Sequence, residues 1–210
     1  MEHETRAEWV RQPPGGLQVH EDESTPPAPG ELELVRSFLS LHEHVRGVGT
    51  SSLPPTRPAM RWWLSRHDLL DADEDPSDGE LDDALELLEA LRATVLAEGR
   101  PLDDRVIETI DAAARDSGLE LRFGSDGRAS IEPAAGGVVG ALGRVLSVAY
   151  LARLDGRWSR FKECRSEDCR SVFYDRSKNQ SGRWCSMESC GNRHKVRAWR
   201  QRREARGRGA

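Results

Sequence analysis

The sequence predicts a mainly α protein: a helical N-terminal domain with one small β-hairpin, then a small C-terminal four-cysteine module ending in a basic helix. Three observations predict it. Helical apolar periodicity recurs through residues 31–155 and gives way once to strict alternation. All four cysteines of the 210-residue chain fall within 27 residues. The charge is divided: residues 157–210 hold 16 Lys+Arg against 6 Asp+Glu, and residues 1–156 hold 15 against 30. A net charge of −5 therefore conceals a body at −15 and a tail at +10, as expected of two modules of which one meets a polyanion.

The elements follow in order. Residues 1–30 carry five Pro, three Gly and no apolar period, and read as a disordered leader. Their acids and the lack of an apolar run argue against an export signal, so a cytoplasmic location is expected. Glu31–Val45 reads as an amphipathic helix on Leu32, Val35, Phe38 and Leu39. After a Gly/Ser/Pro-rich loop, Pro58–Leu70 reads as a short apolar helix with Met60, Trp62, Trp63 and Leu64. Leu81–Glu98 puts Leu81, Ala84, Leu85, Leu88, Leu91, Val95 and Leu96 on one face, with Gly99 placed as a C-cap. Asp103–Asp116 is a further helix with Val106, Ile107, Ile110 and Ala114 inward. Leu119–Phe123 and Ala129–Ile131 alternate around Gly124-Ser-Asp-Gly127, a hairpin signal. Gly136–Leu154 is apolar nearly all round and so reads as central; Arg144 and four glycines make it a poor membrane span. Asp155-Gly156 marks the boundary between a domain at 31–155 and a module at 157–206.

The cysteines are Cys164, Cys169, Cys185 and Cys190, spaced C-x4-C-x15-C-x4-C. In a reducing compartment such paired thiols are metal ligands rather than disulfides. Tetrahedral Zn²⁺ takes two short-range pairs joined by a loop. Five residues along a helix turn through about 140°, so each pair must span a turn or a helix start. About 50 residues with so few apolar side chains need a staple, and four thiolates leave no open position for hydrolytic chemistry. An iron–sulfur cluster also takes four cysteines, at other common spacings.

A basic run follows the last cysteine. Arg193, Arg197 and Arg200 recur at i, i+4, i+7, joined by Lys195, Arg202, Arg203 and Arg206. Such a helix binds phosphates and guanine edges; the plainer alternative is a solvated helix that docks an acidic surface. Trp184 and Trp199 read as core, since the module has little else to bury.

The segment from Phe173-Tyr174-Asp175 through Arg183-Trp184-Cys185-Ser186-Met187 to Cys190-Gly191-Asn192-Arg193-His194-Lys195 resembles the CGNR zinc-finger family. The resemblance spans about residues 157–203. It implies that Cys164, Cys169, Cys185 and Cys190 hold Zn²⁺ and that Arg183, Arg193, Lys195, Arg197 and Arg200 occupy the family's basic positions. In that family the module follows a helical domain called ABATE, linked to stress-induced transcription regulation, and residues 31–155 are similar to it in length and order. The Asn-Thr pair common early in that domain's first helix is Arg36-Ser37 here.

Within the module, Gly191 is expected at positive φ, Asn192 as the helix cap, and Asp175 as a partner of Arg183 or as a turn former. Asp71, Asp73, Asp75 and Asp82 imitate a calcium loop, but Pro76 stands where Gly is needed. His42 and His44 lie on different helix faces, and no catalytic motif is present. The function expected is therefore not enzymatic. It is a DNA-binding transcription regulator with Zn²⁺ as cofactor, contacting double-stranded DNA through Arg183, Arg193, Lys195, Arg197, Arg200 and Arg203, and self-associating through its N-terminal domain, with no membrane partner. The alternatives are docking onto an acidic protein surface, including its own N-terminal domain, and RNA binding.

Overall fold

The structure is a computed structural model. It describes residues 18–19, 25–41, 43–44, 54–71, 74–97, 99–166, 169 and 171–207, the side chains of 18–19, 43–44, 201 and 203–207 excepted. The order is β1 (Gln18–Val19), α1 (Leu32–Leu39), β2 (Glu43–His44), α2 (Arg57–Arg66), α3 (Asp78–Leu96), α4 (Asp104–Asp116), β3 (Leu119–Phe123), β4 (Ala129–Pro133), α5 (Gly137–Leu154), a 3₁₀ turn (Arg157–Arg160), β5 (Phe161–Glu163), β6 (Val172–Tyr174), a π-turn (Met187–Gly191) and α6 (Asn192–Gly207). The strands form antiparallel pairs β1–β2, β3–β4 and β5–β6. The fold is mainly α, as expected.

Helix α5 is the centre of the body, flanked by α1, α3, α4 and β4. It is long and apolar enough to cross a membrane by length and composition, with 61% of it buried inside the fold. Gly143 lets it meet the base of the hairpin: a Cβ there would stand 2.6 Å from Ser117 Cβ and 2.8 Å from Pro133 Cβ. Beside it, Trp63 is fully buried, tilted against Phe38 at 5.0 Å, with Nε1 donating to Ser37 Oγ at 3.1 Å. Ser37 thus serves packing. Arg36 is also buried, and its guanidinium is held by Glu33, whose carboxylate also accepts from Ala28 N.

Several boundaries depart from expectation. Helix α1 stops at Leu39 instead of Val45, because Ser40 donates its hydroxyl to the Val172 carbonyl and Glu43–His44 pair with Gln18–Val19. That pairing, with buried Thr25 and Ala28, also places structure inside the stretch read as a disordered leader; residues 1–17 and 20–24 lie outside the described residues. His42 lies outside them too. Helix α2 ends at Arg66, four residues early, and Asp68 follows at φ 53°. Helix α3 starts at Asp78, three residues early, because Ser77 and Glu80 form a capping box. In α4, Ile107 points outward at 42% exposure, and the helix rests on Ile110, Ala113 and Ala114 instead. The calcium-like acids Asp75 and Asp82 pair with Arg61 and Arg57.

The expected boundary at Asp155-Gly156 is a tight turn, with Gly156 at φ 78°. Beyond it, Trp158, Phe161, Val172 and Tyr174 join the same core as α1, α3 and α5. Buried Arg92 on α3 donates to Leu39 O at 2.7 Å and to Glu163 at 3.3 Å, joining α1, α3 and β5. The two modules expected to be separate therefore share a wall.

Candidate metal centre and basic helix

That wall is the β5–β6 pair. Its register is Phe161↔Tyr174, Lys162↔Phe173 and Glu163↔Val172. Because side chains alternate across a strand, Phe161, Tyr174 and Val172 face the helical core while Phe173 joins the cysteines. The strands lead directly into the first cysteine pair. Cys164 N donates to Ser171 O at 2.9 Å, and Cys169 N to Ser166 O at 2.9 Å, so the pair sits on a hairpin tip as its spacing requires. Arg165 N donates to Arg183 O at 2.9 Å and brings the second segment alongside, two residues before Cys185.

The second pair solves the same spacing problem with a π-turn. Gly191 N donates to Ser186 O across five residues, and Cys190 rides on that wider turn ahead of α6. Ser186 Oγ caps it, accepting from Glu188 N and Ser189 N. Asn192 is already helical, and its Nδ2 donates to Glu188 O, so the cap expected of it belongs to Ser186. Gly191 does not sit at positive φ. What it provides is room, since a Cβ would approach Met187 Sδ at 2.7 Å.

The four Sγ atoms lie within 4.8 Å of one another, all buried and none in a disulfide. Cys169 to Cys185 is 3.6 Å and Cys185 to Cys190 is 3.7 Å. A tetrahedron with Zn–S near 2.3 Å has sulfur–sulfur edges of about 3.8 Å. Four thiols this close cannot all ionise alone. Hydrogen bonding with Cys164 and then Cys185 holds Cys169 far below the usual thiol range. Pairing with Cys169 pushes Cys164 up to about 12, and Cys185 is raised by both neighbours. A divalent cation relieves this conflict, so its binding releases protons. His194 is not in the cluster; its ring lies 4.6 Å from Trp184, which packs on the cysteines.

Residues 160–203 match the CGNR zinc finger. No curated protein matches the chain. The match and the four clustered cysteines support Zn²⁺ as the cofactor, and Cys164, Cys169, Cys185 and Cys190 are the residues that would hold it. The match makes this a zinc module of a kind that engages nucleic acid or protein.

The expected contact residues divide into two groups. Arg193, Lys195, Arg197 and Arg200 lie on α6, with Lys195, Arg197 and Arg200 exposed and Arg193 half-buried. Arg203 lies on the same helix, and its side chain is outside the described residues. Arg183 is elsewhere, exposed on the irregular segment that leads to Cys185 and lining a cleft. Trp199, expected in the core, is 51% exposed on α6, because that helix packs mainly on the π-turn at its start.

The residue that orders the loop between the cysteine pairs is Asp175, and its partner is Lys162 rather than Arg183. Lys162 Nζ lies 2.7 Å from Asp175 Oδ2, and Asp175 also accepts from Ser177 N and Gly182 N. Gly182 is needed here, since a Cβ would meet that carboxylate at 2.8 Å. Burial alone raises this carboxyl's pKa, but Lys162 and the two amides outweigh it and hold it well below the usual range. The unfolded value is about 3.9, so the stabilisation is present above that pH and is lost as pH falls from it toward the folded value. Asp175→Ala is expected to cost about 3 kcal/mol near neutral pH. Urea unfolding of both proteins between pH 3 and 7 checks it: the difference should shrink toward acid. A difference that does not change with pH would remove the charge from the account.

Proposed function

We propose that the protein is a DNA-binding transcription regulator in which the zinc module presents α6 to double-stranded DNA. One observation carries this reading. Helix α6 is anchored at its start by the π-turn that holds Cys190, and the rest of it projects with Arg193, Arg197 and Arg200 along one stripe. Its 16 residues extend about 24 Å, and a major groove about 12 Å wide admits a helix of that kind. Lys195 and Arg202 add exposed charge, so phosphate contacts dominate and affinity falls with salt.

The helical body is proposed as an ABATE-like regulatory domain, the whole acting in the cytoplasm as a binding protein rather than an enzyme. Self-association through this domain is part of the proposal. Leu121 and Phe123 are 63% and 74% exposed on one hairpin face, and a second copy would cover them. Light scattering checks this: the wild type should exceed monomer mass, and Phe123→Asp should return it to monomer.

The test of the main reading is a salt titration of zinc-loaded full-length protein against mixed-sequence duplex DNA, single-stranded RNA and polyglutamate. Salt-dependent binding that favours the duplex supports it. Equal or better binding to polyglutamate favours docking on an acidic protein surface. For that reading the body offers a groove of about 380 Å³ between α3 and α4, lined in part by Asp83, Glu86, Glu108 and Asp116.

A further inference from the structure

We propose that the cleft between the helical body and the zinc module binds an amphipathic organic acid, an apolar body carrying one carboxylate. The cleft encloses about 900 Å³ between the end of α3, the turn after α5, β5 and residues 180–183. That volume suits a small-molecule site, and such sites concentrate where structural units meet.

Its lining has two characters. Val95, Leu96, Trp158 and Phe161 make an apolar wall, the last two rings 5.2 Å apart. Leu96, at the end of α3, stays 41% exposed on it. The same lining carries Arg153, Lys162, Arg165 and Arg183. Lys162 is neutralised by Asp175 at 2.7 Å. Glu163, the carboxylate among the described lining residues, is held by Arg92 at 3.3 Å. Arg153, Arg165 and Arg183 have no carboxylate partner among the described residues, and Arg153 lies 4.5 Å over the Trp158 ring.

Three exposed guanidinium groups without a carboxylate partner among the described residues line one cavity, and together they suit an anion, bound by charge-assisted, often bidentate hydrogen bonds. An inorganic anion would leave the apolar wall wet, and a neutral apolar ligand would leave the cations unpaired. An acid with an apolar body satisfies both. Because Cys164 and Arg165 belong to this lining, the ligand would touch both the body and the metal-bearing hairpin. The proposal does not depend on α6, so the nucleic-acid reading stands or falls separately.

The probe is the amphipathic anion 8-anilinonaphthalene-1-sulfonate, added to zinc-loaded full-length protein and followed by fluorescence. Saturable one-to-one binding is expected, displaced by decanoate and not by decanol. Arg165→Ala with Arg183→Ala should weaken it by about tenfold or more, with zinc content and melting curve unchanged. Removing two exposed hairpin charges, Arg122→Ala with Arg128→Ala, should leave it unaltered. No saturable binding, equal displacement by decanol, or wild-type affinity in the Arg165/Arg183 variant overturns the proposal.

Discussion

Cys185→Ser is expected to abolish zinc binding and melt the C-terminal module while leaving the helical body folded. Cys185 lies 3.6 Å from Cys169 and 3.7 Å from Cys190, linking the two cysteine pairs, so its loss breaks the shared site. The cluster around it contains the four cysteines, Phe173 and partly buried Trp184, too little apolar surface to hold α6 without metal. Zinc contributes roughly 10–16 kcal/mol in modules of this kind. The body has its own core around Trp63, Phe38, Leu88 and Val145, all fully buried, and needs no metal. Metal analysis should fall from one zinc per chain to none. Circular dichroism should lose the helical signal of α6, and a second transition belonging to the body should remain. Chelation of the wild type should reproduce this. Full zinc occupancy with an unchanged melt would refute the four-sulfur site.

Arg193→Ala with Arg197→Ala and Arg200→Ala is expected to weaken binding to duplex DNA by roughly 100-fold near 0.1 M salt. Each phosphate contact contributes about −0.9 to the slope of log affinity against log salt, so losing three lowers its magnitude by about 2.7. Alanine is the best helix former, so the helix survives the change, and Arg193, half-buried at the start of α6, is the position the controls on fold must clear. Zinc content and the melting curve should stay at wild-type values, which separates lost contact from lost fold. The measurement is fluorescence anisotropy on labelled duplex across a salt series. An unchanged slope in a zinc-replete variant would remove this stripe from the interface.

Both predictions rest on features that were legible in the sequence. The paired cysteine spacing excluded a mid-helix site and required a turn at each pair, and the hairpin tip and π-turn supply them. The basic period of α6 was visible because a solvated helix answers only to local spacing. Other features were not legible. Ser77 and Glu80 carried a capping-box signal that the apolar period alone passed over. The partner of Asp175 could not be read, because Lys162 reaches it only after β5 and β6 have paired.

By itself, then, the sequence determined the helical body, the hairpin, the four-sulfur site and the basic helix. Each depends on residues a few positions apart, where side-chain periodicity and ligand spacing act directly. Tertiary structure alone decided where the modules meet. Ser40 on Val172, Arg92 on Glu163, and a β5–β6 pair with one face in each cluster join residues far apart in the chain. A strand of three residues has too short a pattern to announce that both its faces will be covered. For the same reason the cleft at that junction, with Arg153 and Arg183 brought to one cavity, existed nowhere in the sequence as a motif.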